Sequence, residues 1–139
     1  DLNMWGEMQT AAKLHKVAAG DPTVVPARQA FWMATRGGAA AFGLEGRLGS
    51  LEAGKRADVV LVDVSAPHLQ PMYDPYSHLA YAVRASDVRS VVIEGRVVLR
   101  DRVIQTIDEE QVFARIQALA EELGANWGHD AGWRAAVGQ

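Results

Sequence analysis

Histidine and carboxylate side chains are the groups in this sequence that could support hydrolysis by a metal-activated water. Such a site needs several of these ligands to converge while one coordination position stays open for water. The four histidines are His15, His68, His78 and His129. No two of them stand two residues apart, as on one face of a strand, or three to four apart, as on one face of a helix. The sequence therefore predicts no metal ligands and no catalytic residues in this chain.

The surroundings of the histidines favour structural roles. His15 falls in the last turn of a predicted helix, where positive charge is favourable. His68 and His78 lie beside predicted loop and helix starts, and contact of either one with a ligand stays an alternative. The glycines between Gly43 and Gly49 do not connect a strand to a helix, and no serine lies in a nucleophile-elbow sequence. Phosphate-loop binding and serine hydrolysis are therefore not expected.

Composition and charge are those of an ordinary globular protein. Of the 139 residues, 22% are charged and 49% hydrophobic, and the net charge of −3 gives no electrostatic footprint for nucleic acid or an anionic membrane. There is no cysteine, and no apolar run approaches the roughly 20 residues that a membrane helix needs. We therefore expect a cytoplasmic protein without nucleic-acid or membrane partners. Because the sequence opens on Asp1, we also expect either a removed start or the tail of a longer protein.

Helices are predicted before any strand. They cover residues 3–18, 26–36 and 39–42. Asp1 or Asn3 would cap the first helix, Gly20 would end it, and Pro26 suits the first turn of the second. Gly37-Gly38 is expected to interrupt the second helix. The small residues of this region favour close packing against a larger body.

A glycine-bracketed elbow then leads into a strand. Gly49 and Gly54 permit the positive φ angles of a tight double turn. Four apolar residues, Val59 to Val62, predict a strand buried on both faces, and Asp58 is expected to bond nearby backbone amides. The remaining predicted elements are a short helix from Pro75, strands at residues 88–93, 96–100 and 103–104, and a helix from a capping box at Asp108 and Gln111 to Gly124.

Four segments carry a family resemblance. They are Asp1-Leu-Asn-Met-Trp-Gly-Glu-Met8, Met33-Ala-Thr-Arg-Gly-Gly-Ala39, Gly49-Ser-Leu-Glu-Ala-Gly-Lys-Arg-Ala-Asp-Val59 and Asp74-Pro-Tyr-Ser-His-Leu-Ala-Tyr81. Together they resemble the metal-dependent amidohydrolase superfamily in its deaminase and chlorohydrolase branch, nearest to the 5′-methylthioadenosine/S-adenosylhomocysteine deaminases. The resemblance extends over residues 1 to about 124.

The resemblance implies an α/β fold in three parts. Residues 1–45 would be the last helices of a (β/α)8 barrel, and residues 46–107 part of a small composite β-sandwich with a short helix inserted at about 74–84. Residues 108–139 would be a closing C-terminal helix and a tail without periodicity.

The resemblance also implies chemistry that belongs to a longer protein. One divalent metal, zinc, would be bound by upstream residues and would activate water for deamination of an adenine-type nucleoside. Active sites of such barrels lie at the C-terminal ends of the strands. Asn3, Met4 and Trp5, which would directly follow the eighth strand, are therefore the candidates for substrate contact, with adenine or a thioether against Trp5 or Met4. The alternative makes Asn3 a helix cap and the other two core residues. Homo-oligomers are expected by analogy.

Two rival functions stay open. The first is a related amidohydrolase with another substrate, such as a guanine deaminase or a triazine chlorohydrolase. The second is a non-catalytic module of β-sandwich and helix that binds a partner protein through the Met and Trp face of its first helix.

Overall fold

The computed structural model describes residues 2–127, and their side chains to residue 124. The helices are α1 (Met4–Ala19), α2 (Ala27–Trp32), α3 (Gly38–Ala41), α4 (Pro75–Tyr81) and α5 (Glu109–Trp127). The strands are β1 (Val59–Val62), β2 (Val88–Ile93), β3 (Arg96–Arg100) and β4 (Val103–Ile104). A π-helical turn covers Met33–Gly37, and short 3-10 turns cover Pro67–Leu69 and Ala85–Asp87. The predicted α/β class is confirmed, whereas the barrel, the sandwich and the three-part division stay predictions.

Contacts divide the chain into two compact units, Asp1–Val103 and Ile104–Gln139. The first unit contains every described element from α1 to β3, and the second contains α5. The predicted tail and His129 lie outside the described residues.

Helix α1 has the ends that the sequence predicts. The Asn3 Oδ1 atom accepts a hydrogen bond of 3.3 Å from the Gly6 backbone N–H, which satisfies one of the free amides of the first turn. The helix ends at Gly20, and its buried side chains are Met8 and Ala12. These two residues place one face of α1 in the core of the first unit.

Gly37 and Gly38 do not interrupt the second helical region, which corrects the prediction. Their φ angles of −63° and −60° are helical, and the chain passes through them in the π-turn and α3. Glycine costs about 1 kcal/mol in a helix interior, so the flanking helical turns can carry the chain through both positions. A Cβ atom on Gly37 would lie 2.7 Å from the Trp32 ring, so a larger residue there would require the ring to shift.

Helices α1, α2 and α4 pack against one another, and we call this group, with the π-helical turn and α3 that continue α2, the helical layer. The rings of Phe31 and Tyr76 meet edge to face at 5.7 Å, and the Arg28 guanidinium lies 4.5 Å from the centre of the Tyr76 ring. Asp74 caps α4 by accepting hydrogen bonds from the first-turn amides of that helix. Leu69, from the segment before α4, is fully buried. The layer therefore fixes the start of α4 against α2.

The elbow before β1 packs closely on the helical layer. Gly49 has a φ angle of +86°, and a Cβ atom there would lie 2.9 Å from both the Ala39 Cβ and the Arg36 Cα. Gly54 has a φ angle of +88° in open space. The Arg36 guanidinium also reaches Glu52 at 2.6 Å. The elbow is thus a tight turn, as predicted, with one glycine at a close contact.

Strands β1 to β4 form one sheet in sequence order, with β2 antiparallel to both β1 and β3. The Asp58 Oδ1 atom accepts a hydrogen bond of 2.7 Å from the Glu94 backbone N–H, so Asp58 ties the entry of β1 to the turn between β2 and β3. The prediction that β1 is buried on both faces is wrong, since Val60 and Leu61 are 53% and 48% exposed. Among the described strands β1 pairs with β2 alone, so it lies at an edge of the sheet that the structure describes.

In the second unit, α5 begins as predicted and ends later than predicted. The Asp108 Oδ1 atom accepts a hydrogen bond of 3.1 Å from the Gln111 backbone N–H. The helix continues through Gly124 to Trp127. Its side chains at helical spacing, Val112, Ile116, Leu119 and Leu123, are exposed. In the part of the chain that the structure describes, no helix is long and apolar enough to span a membrane.

Candidate functional site

A pocket of about 490 Å³ opens at the start of α1. We call it the α1 pocket. The first turns of α1 contribute Asn3, Trp5, Gly6 and Gln9, while His68 and residues 81–84 contribute the rest of the wall. This volume is in the range of about 300–1,000 Å³ that is usual for small-molecule sites.

Two of the three predicted substrate-contacting residues lie in this wall. Asn3 and the half-buried Trp5 line the α1 pocket, whereas Met4 is 52% exposed and is not among its lining residues. Successive residues of a helix point about 100° apart, so the Met4 side chain leaves α1 in a different direction from that of Trp5. Asn3 also caps α1, which means that its predicted cap role and its place in the wall coexist. Contact with a substrate stays a prediction.

Gln9 fixes the distance between the two sides of the α1 pocket. Its Nε2 atom donates a hydrogen bond of 3.0 Å to the backbone oxygen of Tyr81, the last residue of α4. Because both residues line the pocket, this bond joins α1 to the segment that follows α4.

His68 is held in the wall by the buried carboxylate of Asp87. The His68 Nε2 atom lies 2.9 Å from Asp87 Oδ2, and the same oxygen accepts a 2.8 Å hydrogen bond from the Arg84 backbone N–H. The Asp87 side chain is only 8% exposed, against 31% for His68. The 3-10 turn Ala85–Asp87 positions the carboxylate directly before β2.

Two opposing effects set the pKa of Asp87. Burial alone would raise it, but the hydrogen bond from His68 and the one from the Arg84 backbone N–H together hold the pKa of this carboxyl below its usual value. An ionised carboxylate only accepts hydrogen bonds, so the His68 Nε2 atom carries a proton and donates it. His68 is thereby fixed in orientation.

The sequence reasoning missed the pairing of His68 with Asp87. The two residues are 19 positions apart and share no periodic pattern, so spacing could not bring them together. The available signal was Asp87 itself, a carboxylate placed immediately before the apolar run of β2. Contact of His68 with a ligand stays a prediction.

The described residues do not fit a metal centre. Within residues 2–127, no group of three or more His, Cys, Asp or Glu side chains comes together. His15 is exposed on α1, and the His78 Nδ1 atom lies 3.0 Å from the Asp74 backbone oxygen.

The described helices and strands define an α/β protein. Residues 1–98 match the amidohydrolase family. Since this match covers more than half of the 139 residues, the chain belongs to that family. The resemblance seen in the sequence is therefore confirmed.

Curated relatives are close to half identical to this chain over the residues that align. It is 49% identical over 123 residues to a 5-methylthioadenosine/S-adenosylhomocysteine deaminase of Syntrophobacter fumaroxidans, covering 88% of this chain and 28% of that protein. The identity is 52% over 123 residues with the protein of the same name from Desulforudis audaxviator, covering 88% and 29%. With a 5′-deoxyadenosine deaminase of Methanosarcina acetivorans it is 44% over 125 residues, covering 90% and 28%. The chain thus spans less than a third of the length of these relatives.

Solved structures of longer proteins also contain a region that is similar to this chain. An adenosine deaminase from Xanthomonas campestris with bound zinc superposes with a TM-score of 0.83 at 38% identity, covering 90% of this chain and 28% of that one. Atrazine chlorohydrolase TrzN from Arthrobacter aurescens complexed with zinc gives a TM-score of 0.72 at 28% identity, covering 83% and 26%. The similarity to Escherichia coli guanine deaminase, at 22% identity and a TM-score of 0.61 over 72% of this chain and 24% of that one, concerns the fold.

Proposed function

We propose that this chain forms part of a metal-dependent aminohydrolase that removes the amino group of an adenine-type nucleoside as ammonia. The observation that carries the proposal is the identity of 49% and 52% to proteins named 5-methylthioadenosine/S-adenosylhomocysteine deaminases. Since the chain spans 28% and 29% of these relatives, the activity is assigned to a longer protein that contains it.

The proposed cofactor is a divalent metal, zinc. The support is the zinc bound to the similar adenosine deaminase and atrazine chlorohydrolase structures. Because the described residues do not fit a metal centre, we assign the ligands to sequence outside this chain.

The proposed role of the α1 pocket is to hold the nucleoside. Trp5 offers an aromatic face of the kind that stacks on a purine, and Asn3 is kept in place by its bond to Gly6. In the longer protein, residues 1–45 would be the last helices of the barrel, residues 46–107 part of the composite sandwich, and residues 108–139 the C-terminal helix and tail. A cytoplasmic location and a homo-oligomeric assembly belong to the same proposal.

The direct test is a substrate panel for the full protein that carries this sequence. We expect release of ammonia from 5′-methylthioadenosine, S-adenosylhomocysteine or 5′-deoxyadenosine, measured together with the ultraviolet absorbance change of the purine. Guanine and atrazine serve as comparison substrates, because the rival functions would act on them. Turnover of guanine or atrazine without turnover of any adenine nucleoside would contradict the proposal.

A further inference from the structure

We propose that α5 (Glu109–Trp127) pairs with the α5 helix of a second copy of this chain, antiparallel to it across a twofold axis. The surface lies outside the α1 pocket, and the inference is independent of the proposed deaminase activity. It goes beyond that function because it names the surface and the orientation through which two copies would meet.

The first argument is an apolar stripe on α5. Its members are spaced by four, three and four residues, and each is at least 40% exposed; they are Val112, Ile116, Leu119 and Leu123. This is the spacing of a coiled-coil seam, in which apolar residues recur about every 3.5 residues. A contiguous exposed apolar patch is typical of a surface that binds another protein. The stripe therefore needs a partner surface.

The side of α5 opposite the stripe is polar. Glu110, Gln117 and Glu121 lie there, since each is roughly half a turn away from the stripe at 100° per residue. One face of α5 is thus suited to a partner and the other to water.

The second argument is the chemistry of the two flanks of the stripe. Arg115 and Glu122 lie along one flank, and Phe113 and Ala120 lie along the other. In both cases the two residues are seven positions apart, so they stand two turns from each other on the same helix. One flank therefore carries a positive and a negative charge, and the other a large and a small side chain.

An antiparallel pair brings the unlike members of each flank together. When Ile116 is level with the partner's Leu119, the four residues of the stripe form apolar layers across the twofold axis. Arg115 then lies about 3 Å along the axis from the partner's Glu122, within reach of a salt bridge. On the other flank the large side chain meets the small one. The twofold axis repeats every contact, so the dimer contains two such ion pairs.

A parallel pair of α5 helices lacks these contacts. In a parallel coiled coil a flank residue meets the partner's residue five positions later, so Arg115 would face the partner's Ala120. The charges of α5 therefore favour the antiparallel orientation.

The two charges are available for such a contact. Neither Arg115 nor Glu122 has an oppositely charged residue three or four positions away on α5. Among the residues that the structure describes, neither side chain takes part in a salt bridge. A second copy supplies an opposite charge to both.

The experiment measures the dimer dissociation constant of the full protein that carries this sequence, by sedimentation over a dilution series at low salt. We expect the unsubstituted protein to form dimers. Arg115→Glu and Glu122→Arg each replace two attractive pairs by two repulsive ones, so the dissociation constant should rise about tenfold in either variant. The double variant with both substitutions restores opposite charges and should regain the original value.

Glu121→Arg is the matched control. It makes the same change of charge one position away, on the side of α5 opposite the stripe, so the dissociation constant should stay unchanged. Ile116→Ala removes apolar contact from the stripe and should also weaken the dimer. Because Arg115 and Glu122 are exposed, their variants keep the test valid if Ile116→Ala unfolds.

Each outcome decides the inference. Weaker dimers in both single variants, with recovery in the double variant and no change in the control, support it. A dimer that the single variants leave unchanged, or that the double variant does not restore, overturns it. A monomeric unsubstituted protein also overturns it, and a melting temperature lowered by Ile116→Ala would then show that another part of the same polypeptide covers the stripe. The deaminase activity is measured separately and stands or falls independently of these results.

Discussion

The bond between His68 and Asp87 is the interaction on which one wall of the α1 pocket depends. We expect Asp87→Asn to lower the free energy of unfolding by about 2 kcal/mol at neutral pH, because a buried carboxylate with two donors is replaced by a weaker, neutral acceptor. Chemical denaturation of the full protein measures this change.

The pH dependence of that difference identifies its cause. Since the pKa of Asp87 in the folded protein is held below its usual value, its contribution is complete above the unfolded pKa of about 3.9 and is lost as the pH falls through the lower folded value. The difference between the two proteins should therefore shrink below about pH 4. A difference that stays constant into this acidic range would show that packing, not the charge, is responsible.

At the scale of elements, the elbow before β1 depends on how closely Gly49 approaches the helical layer. Gly49→Ala would add a Cβ atom 2.9 Å from Ala39 Cβ and Arg36 Cα, at a φ angle of +86°. We expect a loss of about 2–4 kcal/mol of unfolding free energy, the sum of backbone strain and overpacking. Thermal or chemical unfolding measures it.

Gly54→Ala is the matched control for this prediction. Its φ angle of +88° is nearly the same, but nothing lies within 4 Å of the added atom. The backbone cost alone, about 1 kcal/mol, is expected there. Equal losses in the two variants would mean that the close packing of Gly49 contributes nothing.

The elements that the sequence predicted well are those governed by local chemistry. Asn3 caps α1, and β2 and β3 have their predicted bounds, because a cap residue and an apolar run act over a few neighbouring positions. The helical φ angles of Gly37 and Gly38 run against the low helix propensity of glycine, and the exposure of Val60 and Leu61 runs against the apolar pattern of β1. Such features arise from tertiary contacts, which propensity does not contain.

The candidate site also contains some features that local sequence predicts and others that depend on tertiary contacts. Asn3 and Trp5 could be predicted from their place at the start of α1, whereas Met4 could not be separated from them before the direction of its side chain was known. The pairing of His68 with Asp87 joins positions 19 residues apart. No local pattern predicts a contact over that distance.

At the scale of the whole molecule, the central claim is that the α1 pocket holds the nucleoside of an amidohydrolase of which this chain is a part. The chain covers 28% of the relative from Syntrophobacter fumaroxidans, so this proposal assigns the rest of the active site to further sequence of a longer protein. The rival non-catalytic module would use the Met and Trp face of α1 to bind a protein. The two functions therefore differ in what this part of α1 contacts, a nucleoside or a partner protein.

The most direct test is the kinetics of Trp5→Ala in the full protein with 5′-methylthioadenosine as substrate. Loss of one stacking contact predicts a KM raised about tenfold with little change in melting temperature. Trp32→Ala is the matched control, because Trp32 is 52% exposed and does not line the α1 pocket; its KM should be unchanged. An unchanged KM in Trp5→Ala, with a clear fall in melting temperature, would contradict the account and make Trp5 a core residue.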